Sequence, residues 1–198
     1  MKTLTASLSA PQAIDLPNFG CRPWRINLDQ IVALKGYGKL KIRPIRRDDE
    51  EEMVRFHQHI SEESIYMRYF EYLGLDRRTS HERLFRVCTN TPDSYAIVVE
   101  WPAASYHLAA ILAVGRLTKT SDPYAAVFDM LITDEAKTPQ LGKMLLHRLI
   151  KLAHAFGFQI LTSDLLVADH DMLNLCRSLG FSLQTLPQEG LVRVTLEL

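Results

Sequence analysis

One stretch limits the fold of this chain more than any other: Ala125–Phe156, AAVFDMLITDEAKTPQLGKMLLHRLIKLAHAF. Its apolar run Ala126–Ile132 reads as a strand, bounded by the charged turn Thr133–Lys137. Thr138-Pro139 then reads as a helix start, a capping hydroxyl followed by a residue whose missing N–H costs nothing in the first turn. Behind it Leu141, Leu145, Leu149, Leu152 and Phe156 recur at helical spacing. A strand that opens straight into a helix aims the unpaired amides of Gln140, Leu141 and Gly142 at one spot. That spot favours an anion, typically a phosphate. A nucleotide or cofactor site is therefore expected here.

Composition narrows the alternatives. A chain of 198 residues is long enough for one domain with a sizeable core and an additional arm. With 47% hydrophobic and 23% charged residues, it has the make-up of a soluble globular protein. Its formal net charge of +0 argues against a broad nucleic-acid surface. The three cysteines, Cys21, Cys88 and Cys176, are odd in number and far apart, which suits a reducing compartment better than a disulfide framework. No CxxC pair suggests zinc. The opening MKTLTASLSAPQAIDLP lacks the apolar segment of a signal peptide, and no stretch approaches 18 apolar residues. A cytoplasmic protein with no membrane association is the expectation.

Pro11, Pro17 and Pro23 mark an irregular arm over residues 1–26, followed by a single domain over 27–198. Asn27–Leu34 and Lys39–Ile45 flank a glycine-bearing turn, Lys35-Gly36-Tyr37-Gly38, and read as a hairpin. Along that hairpin Lys35, Lys39, Lys41, Arg43, Arg46 and Arg47 alternate with apolar residues, as on a solvated face. Met53, Phe56 and Ile60 mark one helix, Ser61 opens a second over Glu62–Phe70, and Thr79-x-x-Glu82 is a capping-box pattern for a third. Ser94–Glu100, Leu108–Leu117 and Gln159–Val167 read as strands. Met172, Leu173, Cys176 and Leu179 form a helix stopped by Gly180, and Ser182–Thr185 with Leu191–Leu198 closes the sheet. His57 and His59 point in different directions from one helix, and no metal site, nucleophile elbow or Walker loop is found.

Three segments carry a family resemblance. They are LKIRPIRRDDEEEMVRFHQHISEESIYMRYF (Leu40–Phe70), HERLFRVC (His81–Cys88) and the run from Ala126 to Phe181, which ends in LNLCRSLGF. The first holds R-P-I-R, an acidic helix start and an S-x-E-S-x-x-x-R-[FY]-F helix. In this order they resemble the GNAT superfamily of N-acetyltransferases, and within it the bacterial Pat-type protein-lysine acetyltransferases, over roughly residues 30–198. The resemblance implies an α/β (α+β) fold: a mixed, mostly antiparallel sheet flanked by helices, with strands splayed at a cofactor slot. It also implies acetyl-CoA as co-substrate and direct acyl transfer to a protein lysine or small amine. A homodimer is one assembly open to the chain, and the balanced charge leads to the expectation of no nucleic-acid partner.

Carried onto this sequence, the family's pyrophosphate loop [QR]-x-x-G-x-[GA] falls on Lys137-Thr138-Pro139-Gln140-Leu141-Gly142. Lys137 replaces the Gln/Arg, and Gln140 puts a Cβ where glycine lets backbone approach phosphate. Lys137 and Lys143 still favour a diphosphate, and the backbone of Met130, Leu131 and Ile132 would pair with pantetheine. The family's glutamate base falls on Val127. Two residues on, with the same side-chain direction, stands Asp129. An acid in this apolar strand is either a general base with its pKa raised by desolvation or a carboxylate bonded to a neighbouring element. Cys176 takes the place of the family's tyrosine acid, as a weak thiol donor or as a packed hydrophobe. Asp169 replaces an asparagine that contacts pantetheine, and reads equally as an N-cap. With catalytic positions altered and the packing pattern intact, a catalytically impaired acyl-CoA-binding or regulatory module is the competing expectation.

Overall fold

The computed structural model describes residues 29–104, 109–187 and 189–198. The arm expected over 1–26, with Cys21, lies outside them, as do Asn27, Leu28 and Leu108 of two expected strands. The hairpin comes first: β1 (Gln30–Leu34) and β2 (Gly38–Pro44) pair antiparallel, with Gly36 at φ 92° in the turn, a conformation that a Cβ disfavours. Four short helices follow, α1 (Glu50–Gln58), α2 (Glu62–Tyr69), α3 (Leu75–Arg78) and α4 (His81–Val87). Then come β3 (Ser94–Trp101), β4 (Ala110–Lys119) and β5 (Ala125–Ile132). The long helix α5 (Pro139–Ala155), β6 (Ile160–Leu166), α6 (His170–Ser178), β7 (Ser182–Leu186) and β8 (Leu191–Glu197) complete the described chain.

The strands form one sheet in the order β1-β2-β3-β4-β5-β6-β8-β7. Every neighbouring pair is antiparallel except β5 and β6, which α5 connects as a crossover. The sheet is thus mixed and mostly antiparallel, as the resemblance implied. Each face has its own core. On one, the stripe Leu141, Leu145, Leu149 and Leu152 of α5 is fully buried against Ala126, Phe128 and Met130. A Cβ on Gly115 of β4 would come within 2.9 Å of Leu149 Cδ1, so glycine sets how closely α5 can lie. On the other face Met53, Phe56, Ile65 and Leu84 pack over Ala96, Val98 and Ile111. No helix of the described residues is long and apolar enough to cross a membrane.

Two local expectations are corrected. Arg43 is not on a solvated face: it is 5% exposed, with its guanidinium on both oxygens of Asp49 and on Glu100. Burial pulls this group's pKa down, but the two carboxylates more than offset it and hold it above the usual arginine range. Alternation alone cannot reveal this, because the partner comes from the helical turn Arg47–Asp49 just after R-P-I-R, where Asp49 also accepts the Arg46 N–H at 2.7 Å. Thr79 does not open α4. Its hydroxyl donates back to the Leu75 carbonyl at 2.9 Å and so closes α3, while Ser80 occupies the N-cap position of α4.

Candidate active site

β5 and β6 are paired only at Ala125–Ile160, Ala126–Leu161 and Val127–Thr162, although β5 continues to Ile132 and β6 to Leu166. Beyond Val127 the strands part. The Thr133 N–H donates to the Leu112 carbonyl of the β4 side at 2.9 Å, and bonding alternates along an antiparallel pair, so Leu131 and Asp129 also bond toward β4. Met130 and Ile132 therefore turn their backbone N–H and C=O into the gap. A cavity of about 490 Å³ occupies it, walled by β5, β6, α2, the start of α5 and α6.

The structure brings most of the expected residues to this cavity. Asp129, Met130, Leu131 and Ile132 line it from β5, Lys137, Thr138, Gly142 and Lys143 from the α5 start, and Asp169 from α6. Gln140, Leu141 and Cys176 do not. Leu141 is a core residue, Gln140 is exposed outside the cavity wall, and Cys176 is fully buried in the α5 core. Burial, with the charge of Asp169, pushes the Cys176 thiol up to about 12, so it stays protonated and packs as a hydrophobe.

The helix start is less open than the sequence implies. Thr138 Oγ1 accepts the Leu141 N–H at 3.3 Å, and the Thr138 carbonyl accepts the Gly142 N–H at 3.1 Å. Of the three amides expected to meet an anion, these two are already taken, and the Gln140 amide lies outside those bonds. The cause is the cap itself, since a threonine that starts a helix competes with any ligand for the same donors. Gly142 has a packing role: a Cβ there would lie 3.3 Å from Leu175 Cδ2, so its absence lets α6 approach α5.

Asp129 is paired. Its Oδ2 lies 2.5 Å from Arg68 Nη2, with the two side chains 22% and 28% exposed. Burial acts to lower the Arg68 pKa, but the charge and hydrogen bond of Asp129 raise it above the ordinary value. The isolated acid of an apolar strand is not what forms, because α2 lies over this face and brings a guanidinium to it. Arg68 also sits over the Tyr69 ring, 4.9 Å from its centre. Val127 lies at the closed end of the gap, at the last β5–β6 pair, outside the cavity wall.

Ser64, Met67 and Arg68 are cavity residues that sequence reasoning missed. Their spacing of three and four residues puts them on one helix face, and Ser64 and Arg68 are fixed letters of the S-x-E-S-x-x-x-R motif. What holds that face to the slot is Asp134, which accepts the Ser61 N–H and the Ser64 hydroxyl, each at 2.8 Å. Burial acts to raise the Asp134 pKa, but these hydrogen bonds hold it below the usual carboxylate range. On the opposite wall Asp169 caps α6, accepting the Met172 N–H at 3.1 Å, and Asp164 makes a two-pronged bridge to Arg193.

No protein-family model matches the chain. Solved structures do. The GNAT domain of PAT from S. lividans superposes with a TM-score of 0.75 at 22% identity, covering 88% of this chain and 99% of that one. Mycobacterium smegmatis RimJ, solved in complex with CoA-disulfide, gives 0.66 at 10% identity over 85% of each chain. The putative acetyltransferase yncA from Salmonella typhimurium, solved with its cofactor acetyl-CoA, gives 0.57 at 17% identity, covering 80% of this chain and 93% of that one. The chain has the fold of the GNAT acetyltransferases, and the Pat GNAT domain is among the structures that share it.

Proposed function

We propose that this protein is an acyl-CoA-dependent N-acyltransferase that passes an acetyl group from acetyl-CoA to a primary amine, a protein lysine or a small amine. The observation that carries the reading is the parting of β5 from β6 with the α5 start at the open end of the gap. Met130 and Ile132 offer backbone donors and acceptors to an extended pantetheine arm. Lys137, Lys143, the Gln140 amide and the positive end of α5 suit a diphosphate. When bound, acetyl-CoA supplies an acyl carbon activated as a thioester. In this reading Asp129 takes the proton that the acceptor amine loses, and the apolar wall of Met130, Ile132 and Leu175 keeps water from the thioester.

One observation favours a second reading. Asp129 is held by Arg68, Val127 carries no carboxylate and Cys176 is sealed in the core. A module that binds acyl-CoA without acyl transfer would have these features. Calorimetry with acetyl-CoA, followed by turnover against lysine peptides and small amines, separates the two. Binding with turnover supports the enzyme. Binding without turnover, with activity appearing in Val127→Glu, supports the module. Absence of binding at millimolar acetyl-CoA overturns both.

A further inference from the structure

The sheet face under α2 carries two guanidiniums and one carboxylate. Arg68 reaches Asp129 with Nη2, 2.5 Å from Oδ2. Arg116 stands directly across from Asp129 on β4 and gives its Nη groups to neutral acceptors, Ser94 Oγ and the Val87 carbonyl. Among the described residues, Asp129 is the one carboxylate that acts on either guanidinium. The remaining acids of the cavity wall belong elsewhere: Asp164 bridges to Arg193, Asp169 caps α6, and Asp171 lies in the first turn of that helix. Taking two cations out of bulk water is costly unless each meets an anion. Here one anion serves both.

Position along β5 says what a second anion at this point would belong to. The strand runs from its closed end at Val127 to Ile132, and α5 begins beyond Ile132. Asp129 is three residues back from Ile132, roughly 10 Å at the usual rise of an extended chain. A donor whose diphosphate lies at Lys137 and Lys143 therefore brings its acyl end, and not its phosphates, to Arg68. The acceptor must arrive at the same point.

Building on the acyltransferase reading, we propose that Arg68 is a specificity-determining residue that binds a substrate carboxylate next to the reacting thioester. That carboxylate is either the free end of a dicarboxylic acyl group or the carboxylate of an amino-acid acceptor. Arginine suits it, because the planar fork offers paired N–H donors to two oxygens. The incoming carboxylate takes the guanidinium and releases Asp129 from it. The acceptor nitrogen then bonds to the acyl carbon as the carbon–sulfur bond breaks, and the amine proton passes to Asp129 and on to the departing thiolate.

The test uses the full chain and compares matched pairs. In the donor arm, calorimetry sets succinyl-CoA against butyryl-CoA, its neutral near-isostere. In the acceptor arm, transfer from acetyl-CoA sets lysine against cadaverine and β-alanine against propylamine. The expected result is a preference of about 10–100-fold for the carboxylate-bearing member in one arm, the range of one charge-assisted hydrogen-bonded contact. The arm that responds identifies the source. In Arg68→Met the ratio falls toward one, while Arg68→Lys keeps part of it. Ratios near one in both arms of the wild type overturn the proposal whether or not the variants fold, and so does a preference that survives Arg68→Met. If none of the thioesters binds, the acyltransferase reading itself falls; binding without discrimination in either arm removes only the carboxylate inference.

Discussion

Arg43 and Asp49 meet in the interior through two hydrogen bonds of 2.7 Å each, while Arg43 Nε holds Glu100 at 2.5 Å. The pair joins the end of β2 to the start of α1. Removing one partner strands a buried charge, so Asp49→Ala is expected to cost about 3–5 kcal/mol in urea unfolding, whereas exposed pairs such as Arg86–Glu82 are worth less than about 1 kcal/mol. A loss under about 1 kcal/mol for Asp49→Ala would show that the Glu100 contact alone satisfies the guanidinium.

His57 gives the protein an acid-sensitive element. It is 3% exposed, its Nδ1 has no partner, and burial with the nearby charges of Arg78 and Arg83 lowers its pKa to about 4. The unfolded chain, at the ordinary value near 6.5, binds a proton before the folded protein does. The stabilisation is therefore complete above about pH 6.5 and is lost as pH falls toward 4, on the order of 3 kcal/mol over that window. Replacing the imidazole in His57→Leu should flatten the stability–pH curve there. An unchanged slope would assign the acid sensitivity to carboxylates instead.

At the α5 start the two lysines, not Gln140, should govern acyl-CoA affinity. Lys137→Ala and Lys143→Ala are each expected to weaken acetyl-CoA binding about 3–10-fold, with the effect shrinking in high salt. Gln140→Gly should leave affinity within about twofold, because its side chain is outside the cavity wall and glycine weakens the helix. Calorimetry at two ionic strengths decides. A marked gain in Gln140→Gly would show that its Cβ does obstruct phosphate.

Hydrogen exchange tests the backbone orientation of β5. The amides of Met130 and Ile132 face the gap and should exchange faster than those of Asp129 and Leu131, which bond to β4. Acetyl-CoA should slow the first pair and leave the second nearly unchanged. Equal protection of all four without ligand would contradict the alternation.

How much of this was legible in the sequence depends on the range of the interaction. The β5–α5 unit was readable because strand, cap, proline and leucine stripe are each local, and Thr138 and Asp169 do cap their helices. Arg43 was misread because a strand pattern gives the direction of a side chain and says nothing of what waits there. Arg68 was passed over for a related reason. It lies on a helix with no unusual composition, and its value comes from Asp129, which only the folding of α2 across the sheet brings near. Cys176 had the spacing of a functional residue, but its helix turns that position into the core.

A sheet ordinarily has two edges, and this one has four margins. β1 and β7 end it on the outside, and β5 past Val127 and β6 past Thr162 add two internal margins that face each other without pairing. An unpaired margin invites any extended chain to add to it. Here α2 and α6 line the opening, so any chain that adds to these margins must fit between two helices. The gap in pairing thus trades backbone hydrogen bonds for open volume, and a chain that paired β5 with β6 to the end would be better zipped and would have no such cavity.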